Sequence, residues 1–170
     1  MSTMALLATG ATPQAPPIKQ GLWKIAMTMT DAKGKETNPF AAQASAMKSM
    51  PPMVLEMMKK RGLPMAQEDG TVLSCMTKES MDSGQWRQIS TGCNAEYKET
   101  TAKSWKWHTS CPSLKSESDG ETIFVDSENY HMNMVTTRGG KVTTMKQEAK
   151  FVSANCGDVK PFTAESVKLP

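Results

Sequence analysis

The residues whose chemistry is most constrained are four cysteines, Cys75, Cys93, Cys111 and Cys156, in a chain of 170 residues. No two are spaced as Cys-x-x-Cys, so neither a zinc ribbon nor a thioredoxin-type motif is present. An even count at wide spacing predicts two structural disulfides and therefore an oxidising compartment. If Thr101-Ala102-Lys103 is a hairpin tip, nine steps outward from Ala102 reach Cys93 in one direction and Cys111 in the other. Directly opposed Cβ atoms lie ~4.5–5.5 Å apart, near the range a disulfide can close. That predicts Cys93–Cys111 and leaves Cys75 for Cys156.

The second chemical feature is sulfur of another kind. The chain carries 15 methionines but an aromatic share of only 6%. Met27 and Met29 alternate onto one face of a predicted strand. Met132 and Met134 share a face further on, and Met134 would oppose Met145 across the Gly139-Gly140 turn. If the first strand neighbours the last two, five thioethers converge. Soft sulfur ligands select Cu(I), which makes copper handling the alternative function. Core filling is the plainer expectation, because Met packs irregular gaps and any buried strand face reads as a period-two stripe.

Acid–base chemistry has little to work with. The two histidines, His108 and His131, are not at metal-ligand spacing. An enzymatic site would need one of them beside a carboxylate, and Asp82, Glu96, Asp119 and Glu121 form no recognisable pair. No G-x-S-x-G, H-E-x-x-H or P-loop occurs. Trp105-Lys106-Trp107-His108 mixes aromatic and basic residues as single-strand nucleic-acid binders do. On a strand, however, the two tryptophans face together and Lys106 and His108 face the other way, giving a core face and a wet face. The net charge of +3 is mixed along the chain, and gives no basic groove for nucleic acid. Lys59, Lys60 and Arg61 form the tightest basic run, placed where cations complement a helix C-terminus.

The elements that must position these groups follow from periodicity. Met4 to Ala11 resembles the end of a signal peptide's apolar region, and residues 12–19 read as a Pro-rich lead-in. The run is too short for a membrane span, which takes ~20 apolar residues. Gly21 to Thr30 alternates strictly and predicts a half-buried strand. Asn38 with Pro39 begins a helical insertion over 39–62. Phe40 to Ser49 is its first helix, Pro51-Pro52 interrupts it, and Met53 to Arg61 is its second, ended by Gly62. Val54, Met57, Met58 and Arg61 share one face, expected to cap an end of the sheet. Strands follow at Gly70–Met76, Gly92–Glu99, Ser104–Cys111, Gly120–Val125, Asn129–Thr137 and Lys141–Ser153. Connections this short force antiparallel neighbours. The prediction is one all-β domain over 20–159, an antiparallel meander or half-barrel with an inserted helical hairpin, and a surface-lying tail over 160–170.

Taken in order, the segments Pro16-Pro17-Ile18-Lys19-Gln20-Gly21-Leu22-Trp23-Lys24, Met50-Pro51-Pro52-Met53, Cys75-Met76-Thr77-Lys78-Glu79, Cys93, Trp105-Lys106-Trp107 leading to Cys111, Gly120-Glu121-Thr122, Tyr130 with Met132 and Met134, and Asn155-Cys156-Gly157 form one pattern. That pattern resembles a family of small secreted bacterial proteins known as a domain of unknown function, serial number 3617. The resemblance implies a periplasmic or exported bacterial protein and no particular activity.

The functional expectation is a non-catalytic binding or accessory protein without a cofactor. Its ligand would be a small apolar molecule under the helical hairpin, or a partner protein docking on the hairpin. Met50, Met53, Val54, Met57 and Met58 are the candidate surface, since Met-rich helices make adaptable apolar contacts.

Overall fold

The computed structural model describes residues 15–82 and 93–161. The signal-like residues 4–11, Gly92 at the start of one expected strand and the tail from 162 onward lie outside the described residues. The first strand, β1 (Gly21–Thr30), is followed by a two-residue strand β2 (Glu36–Thr37) and helices α1 (Pro39–Met47) and α2 (Pro52–Lys60). Next come β3 (Thr71–Met76), a short helix α3 (Lys78–Asp82), and the hairpin β4 (Asn94–Thr100) and β5 (Ser104–Cys111). Strands β6 (Ser116–Phe124), β7 (Asn129–Arg138) and β8 (Lys141–Ser153) complete the sheet. It is the expected all-β architecture with a helical insertion. Three details differ. β6 begins at Ser116 instead of Gly120, and β2 and α3 had no clear period of their own.

All the strand pairs are antiparallel, in the order β2-β1-β8-β7-β6-β5-β4, with β3 also on β1. β1 is the hub. Leu22–Thr30 pairs β8 on one edge, while the other edge is shared by β3 along Gly21–Ala26 and by β2 at Met29–Thr30. The sheet curls without closing. One cavity of about 230 Å³ touches both Met76 of β3 and Trp105 of β5. Five strand steps separate those strands, which would be ~24 Å in a flat sheet at ~4.8 Å per step.

The concave face holds the core: Trp23, Ile25, Val72, Trp105, Phe124, Tyr130 and Ala149, all 8% exposed or less. Aromatic rings run across it in continuous contact. Phe151 meets Trp23 at 5.8 Å, Trp23 meets Tyr130 at 5.4 Å, Tyr130 meets Phe124 at 6.5 Å and Phe124 meets Trp105 at 5.2 Å. Tyr97 extends the chain between Trp105 and Trp107. Aromatic pairs in this range each add about 0.5–1.5 kcal/mol beyond area burial. The fully buried Trp23 indole also donates to the Lys19 carbonyl at 3.0 Å, so the ring's one polar atom is satisfied.

The insertion starts as its residues dictate. Asn38 Oδ1 accepts from the backbone N–H groups of Phe40 and Ala41, with Pro39 at the first helical position. The helix that packs on the sheet is α1, at β1 and β3, with Phe40 against the core and Ala44 buried. For α2 the expected inward face requires correction. No α2 residue is fully buried; Val54, Leu55 and Met58 are half-buried, whereas Met57 and Arg61 face solvent. A nine-residue helix touching the body along one narrow line buries a smaller arc than a 3.6-residue period alone suggests.

Candidate functional site

Both disulfides join the expected partners: Cys75–Cys156 and Cys93–Cys111, with Cα separations of 5.5 and 4.2 Å. The hairpin count worked through a compensation. Thr100 pairs Trp105, so the turn is one residue longer than a tip centred on Ala102, but the register shifts between Tyr97 and Glu99. The extra residue there, Lys98, restores the alignment, and Asn94 then faces Ser110 beside the bridge. The other disulfide pins the segment after β8 across the outer face of β3, where Cys75 is 5% exposed and also bridges to Pro161.

That pinned segment forms one wall of a cavity of about 420 Å³. The second wall is Leu73 of β3, and the third is Leu63-Pro64-Met65, the stretch leaving α2. Val159 closes the apolar lining, and Glu56, Lys59, Asp158 and Lys160 supply charged groups. Lys160 Nζ donates to the Lys60 carbonyl at 2.9 Å, tying the segment to the C-terminal end of α2. A cation there also complements the helix dipole. The cavity thus lies beside the helical hairpin, yet the proposed methionine surface does not line it. Met50, Val54 and Met58 are half-buried elsewhere, and Met53 and Met57 are 80% and 47% exposed. The lining residues that sequence reasoning passed over, Leu63, Pro64 and Met65, follow Gly62 as an apolar run without period, which is the signal that could have drawn attention to them.

The five inner-face methionines are brought together by register. Met29, Met145 and Met134 stand in one row across β1, β8 and β7, and Met27, Gln147 and Met132 form the next row. All five methionines are half-buried. Gln147 donates to the Tyr130 hydroxyl at 3.2 Å, and burial pushes that phenol up to about 12. Beyond Met134 the row continues to Gly120 and Trp107.

On the outer face, His108 is held between two carboxylates: Nδ1 to Asp119 at 3.0 Å and Nε2 to Glu117 at 2.9 Å. Ser110 donates to the same Glu117 at 2.7 Å. The hydrogen bond that the imidazole donates to Asp119 is the main reason its value is held above the ordinary one, against partial desolvation. His108 therefore has the carboxylate neighbour that acid–base work would need, but both ring nitrogens are already engaged, and Ser110 is turned to Glu117 instead of the ring. His131 is exposed, opposite Ile123 and Glu148. As expected of a core face and a wet face, Trp105 is buried and Lys106 exposed; Trp107 is half-buried. Among the described residues, no group of His, Cys, Asp or Glu could hold a metal ion, and no helix is long and apolar enough to cross a membrane.

Fold and site together define a disulfide-stapled, open antiparallel β half-barrel with a helical insertion and a cavity at its flank. The chain belongs to the family described as "Protein of unknown function (DUF3617)", whose sequence profile matches residues 18–156. Comparison with curated proteins found no match. Among solved structures, the chain is similar to an S-type phycobiliprotein lyase from Guillardia theta. The two share 7% identity and a TM-score of 0.42, over 79% of this chain and 88% of that one.

Proposed function

We propose that this chain is an exported, non-catalytic binding protein that holds a small apolar molecule between α2 and β3. The cavity of about 420 Å³ carries the reading. Its volume falls within the ~300–1,000 Å³ usual for small-molecule sites, and apolar walls with a few polar groups are the common design of such sites. Leu63, Met65, Leu73 and Val159 would contact the apolar body, and Lys59 and Lys160 would meet any acidic end. Export is supported by the two disulfides and by the absence of a free cysteine among the described residues. Exposed Met53 and Met57 favour a second reading, a partner protein seated on the outer face of α2.

The test uses the full chain recovered from its own cell envelope. Native mass spectrometry should find a bound small molecule, and the emptied protein should enhance the fluorescence of anilinonaphthalene sulfonate. Leu73→Arg, which puts a charge into the cavity, should abolish both signals while leaving the circular dichroism unchanged. An apo monomer that does not enhance the probe, or a folded Leu73→Arg protein that binds as well as the parent, would overturn the proposal.

A further inference from the structure

We propose that the open end of the concave face is a thioether site for a soft monovalent cation, Cu(I). This stands on strand register and is independent of the cavity beside α2.

The inner face is divided along the strands. Its sealed end holds Trp23, Ile25, Tyr130 and Ala149, none more than 8% exposed. Two residues further along the same strands lies a grid of two rows and three strands, in which five of six positions are methionine. Met145 is the direct partner of both Met29 and Met134, and Gln147 is the direct partner of both Met27 and Met132. Directly paired residues have Cβ atoms ~4.5–5.5 Å apart. Flexible thioether arms on such positions can bring their sulfurs to a common point. None of the five is buried to the level of the core, so the sulfurs sit where an ion could reach them, at the edge of a low-dielectric face.

Burial alone does not require methionine here, since Leu or Ile would fill the same positions. Thioethers add soft donor atoms, and soft sulfur selects Cu(I) over harder divalent ions. A π surface adjoins them. Trp107 lies against Gly120, the residue paired with Met134, so the indole projects toward the methionine row. A tryptophan face attracts a nearby cation through its quadrupole. All four cysteines are in disulfides, so no thiolate competes for the ion.

The experiment is anaerobic competition of the intact, oxidised protein against a chromophoric Cu(I) chelator, read together with methyl-labelled methionine NMR. The protein should withdraw Cu(I) from the chelator, shift the methyl signals of Met29, Met134 and Met145, and quench emission from Trp107. Met134→Leu with Met145→Leu should weaken competition by more than about tenfold, a scale that even changes behind the ligands can reach. Met53→Leu with Met57→Leu, on α2, should leave it unchanged. Failure of the parent protein to compete, equal competition by the folded Met134/Met145 variant, or NMR shifts confined to methionines outside the grid would each overturn the proposal. The NMR pattern decides the matter even if the double variant does not fold.

Discussion

Trp107 lies flat against Gly120 on the neighbouring strand: a Cβ built at Gly120 would fall 2.3 Å from Cζ2 of the indole. The two residues are direct cross-strand partners. Glycine at this position weakens the strand by itself, but its missing side chain is the space that the indole occupies. Gly120→Ala should therefore displace Trp107 and cost about 1–3 kcal/mol, the usual range for overpacking. Chemical denaturation measures the loss, and near-UV circular dichroism reports the tryptophan's movement. An unchanged denaturation midpoint would mean that the indole can move aside freely.

Asn38 ties the start of α1 to the start of β3. Its Oδ1 caps Phe40 and Ala41, and its Nδ2 donates to the Gly70 carbonyl at 3.0 Å. Asn38→Ala removes both attachments and should cost about 0.5–2 kcal/mol from the cap alone. Asn38→Ser, which keeps a cap but lacks the amide donor, should recover part of the loss. Hydrogen exchange in α1 distinguishes the two effects.

The disulfides close loops of very different length, with sequence separations of 18 for Cys93–Cys111 and 81 for Cys75–Cys156. Chain-entropy arguments assign them about 3 and about 4.5 kcal/mol respectively. Replacing Cys93 and Cys111 by alanine should mainly fray β4, while replacing Cys75 and Cys156 should release the segment over β3 and remove the cavity wall that Asp158, Val159 and Lys160 form. Peptide mapping without reduction checks the pairing, and thermal melts should rank the second double variant as the less stable.

His108 makes the outer face sensitive to pH. Its folded-state value is raised, chiefly by the hydrogen bond to Asp119, so the native state holds the proton more tightly than the unfolded chain. Its stabilisation is then fully present below the ordinary histidine value of ~6.5 and is lost as pH rises through the raised folded value. NMR titration should place the His108 midpoint above the ordinary value, and Asp119→Asn should bring it down. A midpoint unmoved by Asp119→Asn would assign the shift to Glu117 instead.

Much of the fold was legible because the signals are local. The observed bounds of β1, β5 and β8 match the expected ones, since strict alternation between turn residues leaves little freedom. The pairing Met134↔Met145 follows from the tight Gly139-Gly140 turn, and Cys93–Cys111 from the β4–β5 turn. The α2 face was misread because a short amphipathic helix offers two overlapping apolar arcs, and only its neighbours select between Met57 and Leu55. The cavity lining was not legible because Leu63, Pro64 and Met65 have no period, and Val159 reaches them through a bridge that closes 81 residues away.

By itself the sequence determined the strands, the turn-linked registers, the helical insertion and the cysteine pairing, since each depends on period-two alternation, capping or short-range closure. Only the tertiary structure decided that β1 lies between β8 and β3, which completes the methionine grid and curls the sheet until Met76 and Trp105 line one cavity. The pairing of β1 with β8 joins segments more than a hundred residues apart. No turn sets its register; it is selected by how well Trp23, Tyr130 and Phe151 pack once the intervening chain has closed.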